Sequence, residues 1–243
     1  MSKHTLRAEA LKKSYKSTQI LHGVDIEVES SQVVGLLGPN GAGKTTTFYM
    51  VCGLVKPTSG KIFFDGEDVS ELSLHDRARM GIGYLPQESS IFKDLTVEEN
   101  LRLAAEIAFK DDINKQNERI ETLLEQFNIE HIRRRRGANL SGGERRRAEI
   151  ARALVAEPKF ILLDEPFAGV DPIAVLDIQN IINQLKEENI GVLITDHNVR
   201  ETLSICDYSY VLKDGVILAH GNAAEIGENK LVRANYLGEH FKL

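Results

Sequence analysis

A glycine-rich octapeptide has the composition of a loop that binds the phosphates of a nucleotide. It reads Gly38-Pro39-Asn40-Gly41-Ala42-Gly43-Lys44-Thr45, after the apolar run 33–37 and before Thr46, where a helical stretch begins. Strand, glycine loop and helix in this order predict a phosphate site, because backbone N–H groups converge on an anion at the positive helix end. We expect Lys44 to reach the β and γ phosphates and the Thr45 hydroxyl to bind Mg²⁺. A plain glycine turn before a helix does not account for the complete G-x-x-x-x-G-K-T spacing.

Two carboxylates follow a second apolar run, 160–163, as Asp164 and Glu165. Because that run is apolar throughout, it predicts a central parallel strand buried on both faces. We expect Asp164 to join the Mg²⁺ shell near Thr45, and Glu165 to polarise the water that attacks the γ-phosphate. Paired acids at a strand end also serve for solvation alone, but their position after the phosphate loop favours hydrolysis.

Three other side chains are candidates for the same site. His197 follows the apolar strand 191–195, and we expect it to bond to the γ-phosphate or to orient the attacking water. Gln87 ends the strand predicted over 81–87, where its amide oxygen could complete the Mg²⁺ shell or hold a water. Tyr15 precedes the loop and could stack on adenine. By themselves, each of the three could equally be an ordinary core or surface residue.

A second candidate anion site lies in Leu140-Ser141-Gly142-Gly143-Glu144. Ser141 and Glu144 have the spacing of a capping box, which is an ordinary helix start. That interpretation leaves the glycines unexplained, since glycine in a helix interior costs about 1 kcal/mol. Bare backbone N–H groups at a positive helix end predict anion binding, with Ser141 bonding to the anion rather than to its own helix.

The surrounding elements predict an α/β fold with a P-loop nucleotide-binding core. Strands 5–11, 24–29 and 61–65 alternate apolar with polar residues, which indicates an antiparallel subdomain beside a mostly parallel sheet. Helical spacing predicts a lobe over about 88–156, inserted between core segments 1–87 and 157–221. The apolar residues of the extension 222–243 could bind the fold or a second subunit.

Two segments of the lobe could bind a partner protein or a membrane surface. Ile91, Phe92 and Leu95 lie in a predicted loop, where they could dock a partner or fold back onto the lobe's own core. Residues 133–136 are four consecutive arginines, typical of a solvated face. Near a membrane such a run could instead approach acidic lipids or an acidic partner loop.

The composition argues against a nucleic-acid-binding, a disulfide-bonded or a membrane-spanning protein. The chain has 243 residues, and its 30 basic and 36 acidic residues give a net charge of -6, which argues against general nucleic-acid affinity. Cys52 and Cys206 have no metal-ligand spacing and suggest buried thiols in a reducing compartment. No signal peptide is evident, and no apolar run approaches the roughly 20 residues that span a bilayer, so any membrane role is expected to come through a partner.

Taken in chain order, these motifs resemble those of ABC-transporter nucleotide-binding subunits, over almost the whole chain. The resemblance implies a homodimer that encloses two ATP molecules, each held by the phosphate loop of one copy and the Ser141 segment of the other. It implies Mg²⁺ as cofactor and integral membrane permease subunits that dock near Phe92. It also adds Asp171, which can cap the next helix, to the nucleotide site together with Gly38 to Thr46, Ser141, Gly142 and Gly143.

A narrower resemblance is to the ATPases of bacterial lipopolysaccharide export. It is carried by the segments 81–88, 90–92 and 195–203 and by the tail Tyr236-Leu237-Gly238-Glu239. Glu144 stands where many family members have Gln, and His240 stands where a second acid is expected. The resemblance implies a cytoplasmic protein, peripheral on the inner membrane. The alternatives are the ATPase of a branched-chain amino acid importer and a non-transport ABC ATPase.

Overall fold

The computed structural model describes residues 3–170, 172–238 and 241. The strands in this part of the chain are β1 (Thr5–Tyr15), β2 (Thr18–Glu29), β3 (Val33–Leu37), β4 (Ser59–Phe64), β5 (Glu67–Asp68), β6 (Ile82–Leu85), β7 (Phe160–Asp164), β8 (Gly191–Thr195), β9 (Tyr208–Lys213) and β10 (Val216–Gly221). The helices are α1 (Lys44–Cys52), α2 (Leu74–Met80), α3 (Val97–Phe109), α4 (Ile113–Gln126), α5 (Gly142–Leu154), α6 (Pro172–Glu187), α7 (Val199–Ile205), α8 (Ala223–Glu228) and α9 (Lys230–Val232). None of the helices within these ranges combines the length and the apolar character needed to cross a bilayer.

The strands with alternating polarity form the expected antiparallel sheet, in the order β2-β1-β4-β5. Both long strands exceed their predicted bounds. In β1 the register shifts between Ala8 and Leu11, and Ala10 has φ 48, which marks a bulge. Beyond the bulge β1 continues to pair with β2 as far as Tyr15. The sequence pattern fails there because the bulge breaks the two-residue period.

The apolar strands form a second sheet in the order β10-β9-β3-β8-β7-β6, parallel except for β10. Every residue of β3, β7 and β8 is buried, as expected for central parallel strands. Because β6, β7 and β8 run parallel, their carboxyl ends meet at one edge. The mostly parallel sheet predicted from sequence is confirmed, and this edge carries the predicted catalytic residues.

Helices α3, α4 and α5 lie between β6 and β7 in the chain, where the helical lobe was expected. Their apolar side chains, among them Leu101, Ile120 and Ile150, belong to the same buried cluster as Ile161 of β7 and Ile178 of α6. The lobe therefore packs directly on one face of the parallel sheet. A second cluster fills the space between the two sheets.

A fully buried arginine joins α1 to α2. Nη1 of Arg77 donates to the carbonyls of Met50 and Val51, both at 2.7 Å, and Nη2 donates to Ser70 O at 3.1 Å. The Met50 and Val51 carbonyls lie in the last turn of α1, where four acceptors lack intrahelical partners. Arg77 thus caps the helix that begins at the phosphate loop, and burial lowers its pKa to about 10.

The C-terminal extension packs on the fold. Val232 and Ile226 are buried beside Leu37 and Val211, with Tyr236 and Phe241 packed against the same cluster. Strands β9 and β10 form a hairpin, with residues 214 and 215 at its turn. The predicted departure at His240 lies outside the described residues.

Candidate functional site

The phosphate loop joins β3 to α1, and close contacts require two of its glycines, Gly38 and Gly43. Gly38 has φ +144, and a Cβ there would lie 2.1 Å from the carbonyl oxygen of Leu212. Gly43 has φ +102, and its Cβ would lie 2.4 Å from Cδ2 of Leu21. Only glycine adopts these angles without strain and fits these spaces. The loop is therefore pressed against β2 and β9, which fixes its shape.

Lys44 is the first residue of α1 and lies over the loop. Its Nζ donates to Gly38 O at 2.7 Å and to Pro39 O at 3.1 Å. Partial burial lowers the pKa of Lys44, and the negative charges of Glu165 and Asp196 oppose this change. The ammonium group is thus held between the loop and the carboxylates, where a terminal phosphate would meet it.

The loop forms one wall of an open cleft of about 320 Å³. Its lining brings together Tyr15, Ile20, Asn40, Gly41, Ala42, Gly43, Lys44, Thr45, Thr46 and Glu165. The ring of Tyr15 is 48% exposed and has the Lys13 ammonium 5.0 Å from its centroid. An exposed aromatic face at the cleft is suited to stack on a nucleobase.

Glu165 lines the cleft at the carboxyl edge of the sheet, and His197 lies beside it. The Glu165 backbone has φ 44, and its N–H donates to Thr195 O at 2.7 Å. Nδ1 of His197 lies 3.4 Å from Oε2 of Glu165, and the imidazole is mostly exposed. A strained backbone held by the neighbouring strand aims the carboxylate into the cleft. The pair can therefore orient a water between them.

Asp164, a predicted ligand of Mg²⁺, lies at the carboxyl end of β7. It is 5% exposed, and the neighbouring Tyr49 hydroxyl favours its charged form. Burial raises the pKa of Asp164, and the nearby carboxylates of Glu165 and Asp196 raise it further. A divalent cation would offset this concentration of negative charge, and Thr45, which lines the cleft, remains the second predicted oxygen ligand. Within the described residues no cluster of three or more His, Cys, Asp or Glu side chains is arranged to hold a metal, so phosphates and water would have to complete the shell.

Asp196 has a role that the sequence did not reveal. It is fully buried, and its Oδ2 accepts from Phe167 N at 2.9 Å while Oδ1 accepts from Asn198 N at 2.7 Å. Burial raises its pKa, which these backbone hydrogen bonds oppose. Asp196 thus ties the segment after Glu165 to the segment that carries His197. Its position after an apolar run and beside the predicted histidine was the available signal.

Other predicted residues lie elsewhere. Ser141, Gly142 and Gly143 are absent from the cleft lining within the described residues, and so is Gln87, which is exposed beyond β6. A Cβ on either glycine would meet no atom within 4 Å, so this helix start faces open space. Asp171 lies outside the described residues, and its roles in capping and nucleotide binding remain predictions.

The start of α5 forms the capping box that was the alternative interpretation. Ser141 Oγ accepts from Glu144 N at 3.3 Å, and Glu144 Oε2 accepts from Ser141 N at 2.9 Å. Arg135 donates to the other oxygen of Glu144 at 2.8 Å, so both carboxylate oxygens are bound. The Ser141 hydroxyl keeps its own proton to donate, and the first N–H groups of the helix lack intrahelical acceptors. Capping and anion binding are therefore compatible here.

The two lobe segments discussed above, 91–95 and 133–136, each contain residues that contact the lobe itself. Ile91 is 5% exposed and folds back, whereas Phe92 is 49% exposed. Arg133 pairs with Glu98 and Glu121, at 3.0 and 2.7 Å. Part of the arginine run therefore neutralises acids of the lobe itself.

Comparison with known proteins agrees with these observations. Residues 21–168 match the ABC transporter family model. The chain is 58% identical over 238 residues to the lipopolysaccharide export system ATP-binding protein LptB of Haemophilus influenzae, covering 98% of this chain and 99% of the relative. It is 55% identical over 241 residues to LptB of Escherichia coli K12, with the same coverage.

The fold likewise matches solved structures. An ATP-binding cassette of an ABC transporter, crystallised in its ADP conformation, superposes with a TM-score of 0.86 at 32% identity, covering 97% of this chain and 99% of that one. A nucleotide-free cassette gives 0.85 at 31% identity, covering 97% and 100%. The phosphate loop, the paired carboxylates and the histidine thus lie in a cassette fold, and the chain belongs to the ABC transporter family as an ATP-hydrolysing subunit.

Proposed function

We propose that the chain is the ATP-hydrolysing motor of a lipopolysaccharide exporter, working as a homodimer that encloses two ATP molecules. The observation that carries this proposal is the separation of the two phosphate-binding segments. Residues 40–46 line the cleft, whereas Ser141 to Gly143 face open space outside its lining. One copy therefore offers half of each site, and a second copy related by two-fold symmetry supplies the other half.

Binding of ATP begins at the loop. The backbone N–H groups of 38–45 and the ammonium of Lys44 hold the phosphates, and Tyr15 stacks on the base. Thr45 and Asp164 are the proposed protein ligands of Mg²⁺, with Gln87 joining from its loop. The metal, when bound, neutralises charge on the β and γ phosphates.

Hydrolysis needs a positioned water. The Glu165 carboxylate accepts a hydrogen bond from that water and polarises it toward the γ-phosphate. His197, 3.4 Å from Glu165, bonds to the γ-phosphate and fixes the geometry. Loss of the γ-phosphate removes the anion that bridges the two copies, so the dimer opens.

The membrane permease is proposed to dock on the exposed surface of the lobe. Phe92 offers an apolar side chain next to the buried Ile91, a suitable anchor for a permease loop. Lipopolysaccharide as cargo rests on the relatives of 58% and 55% identity, both named for that export system. The chain would then lie on the cytoplasmic face of the inner membrane, held there by its permease.

Two experiments test this function. The Glu165→Gln chain should form a dimer on size-exclusion chromatography with ATP and Mg²⁺, and Ser141→Arg in that background should remain monomeric while still binding ATP. For the cargo, the tagged chain is purified from detergent-solubilised membranes with its permease, and the ATPase rate is measured with lipopolysaccharide or with leucine. Stimulation by leucine, or co-purification with ribosomes in place of a permease, would refute the export role.

A further inference from the structure

One face of α5 holds the segment that carries both Gln87 and Phe92. Arg146, Glu149 and Arg152 are spaced three residues apart, so they lie on the same side of the helix. We call these three residues the α5 stripe. All three contact the segment 86–92, and the same helix begins at the Ser141 segment.

Glu149 makes the central contacts of the stripe. Its Oε1 accepts from Ser89 Oγ at 2.7 Å, from Ser90 N at 2.9 Å and from Ile91 N at 3.3 Å. The residue is only 3% exposed. A buried carboxylate that satisfies two backbone donors of a loop fixes that loop firmly, because its removal leaves those donors without a partner.

The two arginines hold the ends of the segment. Arg146 Nη1 donates to Pro86 O at 3.3 Å and lies 3.5 Å from Glu149 Oε2. Arg152 donates to Ser90 O at 2.8 Å and to Ser90 Oγ at 2.7 Å. Its guanidinium also lies over the ring of Phe92, 5.2 Å from the centroid. The contacts therefore extend from the residue before Gln87 to the proposed docking side chain.

We propose that Glu149 is a positioning residue that binds the segment 86–92 to α5, so that Phe92 moves together with the Ser141 end of the helix. When the ATP bound to the second copy contacts Ser141, the resulting movement of α5 would shift Phe92. Conversely, a permease that moves Phe92 would shift Ser141. The proposal rests on the proposed function, since it describes how that ATP site communicates with its permease. Such coupling is reciprocal by thermodynamic necessity.

The absence of tryptophan from the sequence allows a direct test. Phe92→Trp places a single indole beside the Arg152 guanidinium, and Glu165→Gln is added to keep ATP intact. Tryptophan emission and binding of a radiolabelled ATP are both followed as Mg²⁺ and ATP are titrated. We expect emission to change with the same midpoint as ATP-driven dimer formation.

Glu149→Ala in this background should bind ATP within about threefold of the parent affinity and still dimerise, while the emission change falls by about half or more. Glu149→Gln, which keeps an oxygen acceptor for Ser89 and Ser90, should restore most of the change. Ser89→Ala, which removes one contact without touching the helix, should reduce it less than Glu149→Ala. Glu99→Ala is the matched control, because Glu99 closes the capping box of α3 by accepting from Thr96.

The outcomes separate the two proposals. If no chain binds ATP or dimerises, the proposed function fails, and the coupling fails with it. If the parent dimerises without an emission change, or if Glu149→Ala keeps the full change, only the coupling is overturned. A Glu149→Ala chain that does not fold leaves Ser89→Ala and Glu149→Gln to decide, and unaltered emission responses in both would contradict the proposal.

Discussion

Nδ1 of His197 lies 3.4 Å from Oε2 of Glu165, although the two residues follow different strands of the parallel sheet. Their proximity depends on Asp196, which accepts N–H groups from both strand-end segments. A water or γ-phosphate oxygen placed in the cleft would meet both side chains at once. Substitution of either residue should therefore change kcat, and steady-state kinetics can distinguish this from a change in KM for ATP.

His197→Ala should lower kcat by about 100-fold while changing the KM for ATP much less, because the imidazole acts on the reacting phosphate and the loop still binds nucleotide. Steady-state ATPase assays measure both parameters. His131→Ala, an exposed histidine of the lobe, serves as the control. A rise in KM with full kcat would assign His197 to binding instead.

Tyr15→Ala should raise the KM for ATP by roughly tenfold, in line with the ~1–3 kcal/mol that aromatic stacking contributes per base. Tyr15→Phe keeps the ring and should stay near the parent value. Because stacking does not read the edges of the base, GTP is expected to show the same dependence. Equal KM values for Tyr15→Ala and the parent chain would exclude stacking.

Asp164→Asn should stabilise the nucleotide-free chain while abolishing Mg²⁺-dependent hydrolysis. The folded-state pKa of Asp164 is raised above 3.8, so its charge weakens folding at pH values above that raised pKa. The gain in Tm should therefore be largest near pH 7 and shrink as the pH falls through the folded-state pKa toward 3.8. Thermal melts across this range measure it, and a Tm below that of the parent at neutral pH would contradict the prediction.

Gly142→Ala should leave the thermal stability of the chain intact while reducing ATP-driven dimer formation. The added Cβ meets no atom of the chain, and alanine favours a helix over glycine by up to about 1 kcal/mol, so Tm should not fall. The same methyl group would obstruct a phosphate that approaches the bare backbone. Size-exclusion chromatography of the Glu165→Gln background with ATP should then show less dimer, and undiminished dimer would argue that no phosphate reaches Gly142.

Much of this architecture could be read from local patterns. The apolar strands β3, β7 and β8 and the turns around the phosphate loop are encoded by neighbouring residues, and they came out as expected. The effect of Tyr49 on Asp164 and the two hydrogen bonds of Asp196 could not be foreseen, because the first joins residues far apart in sequence and the second ties two strand-end segments together. Likewise, nothing local distinguishes the buried Ile91 from the exposed Phe92, since the packing of the lobe around this segment decides it, including hydrogen bonds from Asn100 of α3 to the Phe92 backbone.

Arg77 couples the local unfolding of α1 to that of α2. Its guanidinium binds the end of α1 and is itself carried by α2, so neither helix can unravel without leaving buried donors unsatisfied. The amides of the last turn of α1 and those of α2 should therefore exchange with deuterium at a common rate, as one cooperative unit. Arg77→Lys, with a single ammonium in place of the fork, should split that unit into two.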